Sequence, residues 1–364
     1  MHESSLTKAG GEILLVNGEA RLKPERAGNQ ALLVDQVMLP LGVVIPTKNS
    51  MPYLPRHVAG LRPWLDLAAE VVVVDSYSTD GTVDFLRANL EHPNLRFTSH
   101  PPGLYASWNH GIAQISSRYV SIATTGDTIT RVGVCKLVEV AESLTCDVVI
   151  SRPTFCDVSG QARPATPWPA DDVIETLAVN QPYRLRQVEA VIFAAIHATD
   201  ALTGSSASDL FRTEILQRHP FPTDFGTSGD TAWGLMHAAE FAWGIVPDKF
   251  STFALHPTNA SAAEKQSRLT ARRVDVVLRA AMDSWRSAGV ITEQTLPPAL
   301  WDDLMTGLTS YFDAKAAFDQ DRRSAIPWVL NPRAWRNRTR RERSAKHLNQ
   351  LKHAAVLGES GSLK

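Results

Sequence analysis

Four consecutive valines, Val71 to Val74, stand in the stretch VVVVDSYSTDGT with no polar residue alternating between them. A strand with one wet face alternates apolar and polar side chains, so a short unbroken β-branched run predicts a parallel strand covered on both faces. A second run, Leu41 to Pro46, ends in the polar loop TKNSMPYLP, and the weakly helical HVAGLRPWLDLA joins the two. This βαβ unit, with its right-handed crossover, delivers Thr47 and Asp75 to one rim. In open α/β sheets ligands settle beyond the carboxyl ends of the strands, so chemistry is expected at that rim. The same acids suit a plainer role, in which Asp75, Ser78 and Asp80 turn the chain and cap the helix TVDFLRANL.

The pattern continues on both sides of this unit. LRFTSH predicts a third strand, and PPGLYASWNHGIAQIS a loop entering a helix, with Asn109 and Gly111 where the chain must be tight. YVSIATTGDTI predicts a fourth strand ending at Asp127, and a helix follows from about Val132 to Ser143. Upstream, Asn17-Gly18 between two strand-like runs predicts a β-hairpin. Downstream, DVVISRPTF is a strand and DDVIETLAV a helix, while VEAVIFAAIHATDA is core too short to cross a bilayer, with His197 packed rather than ligating. TGSSASDLFRTEIL reads as a strand entering a helix, and Asp230 heads a helix with an apolar stripe. Past residue 262, EKQSRLTARRVDVVLRAAMDSW and LWDDLMTGLTSYFDAKAAF have helical apolar spacing and can pack on the main domain or form a homodimer contact. The expected organisation is a hairpin extension over 1–37, an α/β domain over 38–262 and a helical region with a basic tail over 263–364.

Composition narrows the class. With 364 residues, 44% hydrophobic and 21% charged, the chain is globular and long enough for a large core. Cys135, Cys146 and Cys156 are odd in number and lack CxxC or CxxH spacing, which argues against a disulfide framework and fits a reducing compartment. Neither a signal pattern nor an apolar run of membrane-spanning length is present, so a cytoplasmic protein is expected. The net charge of −1 argues against a polyanion binder, yet between Arg333 and Lys352 eight Arg and Lys residues face only Glu342. With Trp328 and Trp335 beside it, the segment 328–353 reads as a solvated basic tail or as an interfacial helix held against anionic lipid on the inner face of the membrane. No nucleic-acid recognition motif accompanies it, and nucleic acid is not expected as a partner.

The order VVIPTKNS, VVVVDSYSTDGT, GLYASWNHGI and YVSIATTGDTI resembles the N-terminal half of the family-2 glycosyltransferases over residues 42–130. The resemblance implies a GT-A fold, a Rossmann-like, mainly parallel sheet flanked by helices, here with a C-terminal helical extension. It also implies an enzyme that moves a sugar from a nucleotide-sugar donor to a glycan or lipid-linked acceptor, with Mn²⁺ or Mg²⁺ as cofactor, of the kind used in surface polysaccharide synthesis. Donor contacts are then expected from Pro46, Thr47, Asn49, Asp75, Asn109, Gly126 and Asp127. The family's usual DxD becomes Thr124-Thr125-Gly126-Asp127, so Asp127 is the carried-over metal ligand, and His256 in HPTNAS is a second. The family's ED pair becomes Gly229-Asp230, which leaves Asp230 as the catalytic base, with Asp209 and Asp224 in reserve. The chain has no QxxRW, so transfer of a single sugar is favoured over processive synthesis.

The physical case runs beside the resemblance. A nucleobase and ribose need hydrogen-bond partners in an apolar cleft, and Pro46, Thr47, Asn49 and Asp75 lie on adjacent strand ends. A carboxylate beside a diphosphate is tolerable chiefly with a cation between them, and an inverting transfer needs a carboxylate to take the acceptor's proton. Two other readings stay open on sequence alone: a non-catalytic nucleotide-sugar or glycan binder, since both acidic motifs lack their first acid, and a nucleotidyltransferase on a similar sheet.

Overall fold

The apolar runs at residues 41–46 and 71–74 pair in parallel and are buried on both faces, as their lack of alternation requires. The computed structural model describes residues 13–16, 19–22, 38–198, 201–203, 206–255, 271–322, 329 and 331–357. Two units divide the chain, Met1–Val37 and Met38–Lys364. In the first, β1 (Ile13–Val16) and β2 (Glu19–Leu22) pair antiparallel, Val16 opposite Glu19; the expected Asn17-Gly18 turn lies outside the described residues.

The second unit begins with β3 (Leu41–Thr47), α1 (Leu54–Leu61), β4 (Glu70–Asp75), α2 (Thr82–Asn89), β5 (Leu95–Ser99), α3 (Leu104–Ile112) and β6 (Tyr119–Ile122). It continues with β7 (Thr128–Ile129), α4 (Arg131–Ser143), β8 (Val148–Asp157), α5 (Pro169–Thr176), β9 (Tyr183–Arg184) and α6 (Gln187–Ile196). Then follow β10 (Asp209–Arg212), α7 (Thr213–Arg218), α8 (Gly229–His237), β11 (Trp243–Leu255), and three helices, α9 (Ala271–Ser287), α10 (Pro298–Arg322) and α11 (Pro332–Leu357). One sheet runs in the order β5-β4-β3-β6-β10-β8-β11-β7, with β9 beside β11. Its β5, β4, β3 and β6 are mutually parallel, and β10 is antiparallel to both neighbours.

Successive side chains of the valine strand serve two different cores. Val71 and Val73 pack with Leu54, Val58, Trp64 and Leu86, whereas Val72 and Val74 pack on the other face with Tyr105, Trp108 and Ile112. Each buried valine contributes roughly 1.5–3 kcal/mol, which secures the strand against slipping by one residue. The helix α3 approaches β3 and β4 closely because Gly111 has no side chain: a Cβ there would stand 2.5 Å from Val44 Cγ1 and 2.9 Å from Val74 Cγ2.

The stretch YVSIATTGDTI, expected as one strand, is two. Gly126 adopts φ 104°, the Asp127 N–H donates to the Thr124 carbonyl at 3.1 Å, and the chain leaves β6 in a turn to place β7 against β11. Glycine reaches that left-handed conformation at little steric cost.

The C-terminal helices pack on the α/β domain. Trp285 and Trp301, both fully buried, meet edge to face at 5.4 Å and share one core with Leu304, Leu308 and Leu351 of the helical region and Val191 and Trp233 of the α/β domain. Lys352, read from sequence as part of the basic tail, is buried and donates to Asp172 Oδ1 at 2.6 Å, while His197 Nε2 stands 3.0 Å from Asp172 Oδ2. Burial alone would raise the Asp172 pKa, but the hydrogen bonds and charges of His197 and Lys352 outweigh it and hold the carboxyl well below the usual range.

Gly111→Ala is expected to destabilise the fold, and Gly111→Val more so, because overpacking costs about 1–3 kcal/mol against at most about 1 kcal/mol gained in helix propensity. Urea unfolding of the variants would measure this; an unchanged midpoint for both would contradict the tight α3–sheet approach.

Candidate active site

The parallel register sets Thr47 directly beside Asp75 at the carboxyl end of the sheet. A cavity of about 520 Å³ opens there, lined among others by Pro46, Thr47, Asn49, Ser76, Ser107 and Thr124. Thr47 Oγ1 is buried with no hydrogen-bond partner among the described residues. Asp75 Oδ2 accepts the Ser78 N–H at 3.0 Å, which is the turn-forming role, but its Oδ1 is buried and unpartnered. Two such groups on one rim are costly unless something donates to them.

The N-cap position of α2 is Gly81, which offers no side chain, and the acid that meets the start of the helix is Asp80, not Asp75. Asp80 Oδ1 accepts from the Thr82 N–H at 3.1 Å and Oδ2 from the Met51 N–H at 3.0 Å; these bonds outweigh its slight burial and hold its carboxyl below its ordinary value. Asn49, at φ 45°, couples the two loops: its N–H donates to Ser78 Oγ at 2.8 Å and its Oδ1 accepts the Thr79 N–H at 2.9 Å. Asn49 therefore shapes the cavity wall as well as lining it.

Asp127 is buried within the turn that follows β6. It does not cap α4, because Thr130 does, accepting the Gly133 N–H at 3.1 Å. Asp127 Oδ1 instead accepts the Ala254 N–H of β11 at 2.9 Å, so the carboxylate is set by a strand far away in sequence. Beneath the turn, His57 is fully buried with Nδ1 3.2 Å from the Asp127 carbonyl, and burial lowers its pKa to about 4. The ring is neutral near neutral pH and donates from Nδ1. Sequence reasoning missed His57, which carries no motif and sits in a weakly helical stretch. His256 lies outside the described residues.

A second acidic group forms around α8. Asp230 lies in the first turn, its Oδ1 accepting the Thr231 N–H at 2.7 Å. Burial pushes its carboxyl up to about 6, against hydrogen bonds from Tyr105 and Thr231 that pull the other way. Asp209, at the start of β10, is buried with Oδ1 unpartnered; burial and then the charge of Asp230 raise its pKa well above the carboxylate range. Burial and the charge of Asp230 thus favour the protonated form of Asp209. Asp224 is exposed on the preceding loop. At 229, where the resemblance would place an acid, no side chain fits: a Cβ would stand 2.5 Å from both the Pro222 carbonyl oxygen and Tyr105 Cδ2.

Asn109 is placed differently from the other expected donor residues. Its Nδ2 donates to the Phe221 carbonyl at 2.8 Å and its Oδ1 accepts the Phe221 N–H at 3.0 Å, pinning the loop after α7 to α3, and it is not among the cavity's lining residues.

Residues 42–199 match the model of Glycosyl transferase family 2. Over these residues, fewer than half of the chain, the sequence is similar to the family-2 glycosyltransferases. No curated protein matches the sequence. Among solved structures, S. aureus TarS 1-349 in complex with UDP-GlcNAc is similar at 15% identity, covering 87% of this chain and 92% of its own, with a TM-score of 0.48. The mannosyltransferase PcManGT from Pyrobaculum calidifontis, in complex with GDP-Man and Mn2+, is 19% identical over 89% of this chain and 88% of its own, with a TM-score of 0.45.

A divalent cation of the Mg²⁺ or Mn²⁺ type takes oxygen ligands and accepts few of them from protein when phosphate and water supply the rest. The turn after β6 offers such a set, with the Asp127 carboxylate and the Thr124 hydroxyl, the latter 2.6 Å from Ser206 Oγ. The donor chemistry fits.

Asp230→Asn is expected to stabilise the protein near neutral pH by on the order of 1–3 kcal/mol. A carboxyl whose folded pKa is raised from 3.8 to about 6 loses stability as pH rises through that window, and the amide has nothing to lose. Urea unfolding at about pH 7 and about pH 4 would show a gain at the first that shrinks at the second; equal stability at both would mean the carboxyl is not desolvated.

Proposed function

We propose that the chain is an inverting glycosyltransferase that moves one sugar from a nucleoside-diphosphate sugar to a hydroxyl of a glycan or lipid-linked acceptor, in the synthesis of a surface polysaccharide. The observation that carries the reading is the cavity of about 520 Å³ lined by Thr47 and Ser76, at the rim where Thr47 Oγ1 and, on the neighbouring strand, Asp75 Oδ1 are buried with no hydrogen-bond partner among the described residues. Both accept hydrogen bonds, and a nucleobase N–H or a ribose hydroxyl supplies them. Asn49 keeps the cavity loops in place, and Asp127 and Thr124 would hold Mn²⁺ or Mg²⁺ beside the diphosphate. When bound, the cation neutralises charge gathering on the leaving phosphate.

Asp230 is the general base in this reading. It takes the acceptor hydroxyl's proton as that oxygen bonds to C1, and the C1–O bond to the diphosphate breaks with its electron pair leaving on the nucleoside diphosphate. A base near pKa 6 is ionised at neutral pH and still basic enough to be effective. The upward shift at Asp209 disfavours a second negative charge beside it.

The acceptor is assigned to a cavity of about 770 Å³ between the α/β domain and the C-terminal helices, whose walls include Arg152, Trp168, His197, Lys249, Tyr311 and Asn349. An aromatic wall with amide and charged groups suits a sugar. Trp168 packs on Phe155 and Phe253 at 5.4 and 5.6 Å, and Phe253 precedes Ala254, whose N–H holds Asp127, so β11 runs from this cavity to Asp127. For a lipid-linked acceptor, α11 offers exposed Trp335 with Arg336, Arg340 and Arg343 around a shallow recess. Trp328 lies outside the described residues.

Nucleoside diphosphate release from a panel of donors with Mn²⁺ tests the transfer reading. Asp230→Ala should lower the rate by about 10²- to 10⁴-fold while donor binding persists. Asp127→Ala should remove cation-dependent donor binding, and Trp168→Ala should raise the acceptor KM without changing release to water. The wild-type rate should fall about tenfold per pH unit below the Asp230 pKa of about 6. A wild type that binds a donor but transfers to no acceptor would establish the non-catalytic reading instead.

For α11, co-sedimentation with anionic phospholipid vesicles at low salt should weaken in the Trp335→Ala, Arg340→Glu double variant. Unchanged partitioning would leave α11 a solvated basic helix.

A further inference from the structure

The ends of α7 and α8 bring two imidazoles and a carboxylate to one point of the surface. His219 directly follows α7, His237 is the last residue of α8, and Glu240 comes three residues later. Their ligand atoms all lie within 4.8 Å of one another. His219 Nε2 is 3.4 Å from Glu240 Oε1, and His237 Nδ1 is 2.7 Å from Glu240 Oε2. The local fold explains the convergence. As α8 ends, the Glu240 N–H donates to the His237 carbonyl at 3.1 Å, which turns the carboxylate back over the imidazole. From the other side, the Trp233 indole N–H donates to the His219 carbonyl at 2.6 Å and fixes that residue against the same helix.

The rings are held by neighbours rather than by solvent. The His219 and His237 rings meet at 4.7 Å, His237 lies 5.3 Å from Phe241, and Phe241 stacks on Trp233 at 5.6 Å. Ligands whose rotamers are already locked lose little freedom when an ion arrives. Exposure of 32% at His219, 15% at His237 and 42% at Glu240 leaves an ion a way in from solvent.

We propose that His219, His237 and Glu240 bind one Zn²⁺ ion, with a fourth position left to water. Zinc takes imidazole nitrogen and carboxylate oxygen at about 2.0–2.2 Å in tetrahedral order, which spaces neighbouring ligand atoms roughly 3.3–3.5 Å apart. The His219 Nε2 separation of 3.4 Å from Glu240 Oε1 already has that spacing, and the 2.7 Å contact of His237 Nδ1 is to the other oxygen, Oε2, so the carboxylate turns to present one oxygen to both rings as the metal enters. Two nitrogens and one oxygen favour zinc over magnesium, whereas the oxygen set at Asp127 favours the reverse. The two sites therefore select different ions. Bound zinc ties the C-terminal ends of α7 and α8 together, and α8 carries Asp230 in its first turn, so the ion also braces the helix on which that acid stands.

Isothermal titration of the full chain with Zn²⁺ alone, without nucleotide, tests the site apart from any transfer activity, so its failure says nothing against the transfer reading. One Zn²⁺ per chain is expected, undisturbed by excess Mg²⁺. His219→Ala and His237→Ala should each weaken binding at least tenfold, and Glu240→Gln should weaken it less. His110→Ala, which alters a different histidine pair, should leave it unchanged. Co²⁺ in place of Zn²⁺ should give the visible bands of a tetrahedral ion in the wild type and lose them in His237→Ala. Circular dichroism confirms that the variants fold; should a single-histidine variant unfold, Glu240→Gln and the Co²⁺ spectrum of the wild type decide. Absence of tetrahedral Co²⁺ bands, binding equal in wild type and Glu240→Gln, or displacement by Mg²⁺ would overturn the assignment and leave His237 and Glu240 as a hydrogen-bonded pair only.

Discussion

The parallel pairing of β3 and β4, in a register that sets Thr47 beside Asp75, is the constraint on which the rest depends. The strands are buried on both faces, so a slip of one residue would exchange the side chains presented to two different cores, at a cost of several buried valines. The register is thereby secured, and with it the position of two acceptor atoms that the protein itself leaves unpaired. Apolar packing along the strands thus supplies the stability that lets polar groups at their ends stay unsatisfied. The close approach of α3 through Gly111 extends the same logic, since it puts Ser107 in the cavity wall and Tyr105 next to the acidic pair.

Around the second acidic group, stability is given up in small amounts at several points. The Asp127 turn is held from two sides, by a neutral buried histidine below and a strand amide beside it. Burial raises the pKa of Asp230, and burial together with the charge of Asp230 raises that of Asp209. Gly229 makes room for Tyr105 and for the Pro222 carbonyl, which explains the lost first acid as a packing requirement rather than as decay of the site. The C-terminal helices complete the molecule through a shared apolar core and through Lys352, whose charge is consumed by Asp172 and does not belong to the exposed basic face.

Much of the fold was legible in the chain because the sheet strands lack alternation and the helices have regular apolar spacing. The valine run, the strand at 41–46 and the α/β order follow from that pattern alone, and the family resemblance rests on the same segments. The break within YVSIATTGDTI was not legible: β-branched residues on both sides of the turn hide a change of strand that Gly126 makes possible. Acids at helix starts were equally ambiguous, since a cap and a catalytic carboxylate look alike in sequence. Only the observed hydrogen bonds, from the Gly133 N–H to Thr130 at α4 and from the Thr82 N–H to Asp80 before α2, separate them.

By itself, then, the sequence determined the parallel strands, the rim at which they end and the acids delivered there, because burial on two faces leaves one way to arrange such runs. The tertiary structure decided which of those acids are free to act. The support of Asp127 by His57 and Ala254, the pairing of Asp209 with Asp230, the diversion of Asn109 to the Phe221 backbone and the meeting of His219, His237 and Glu240 all join residues distant in the chain or across a turn. No periodicity encodes such meetings, since they arise from packing between elements whose order in space differs from their order in sequence.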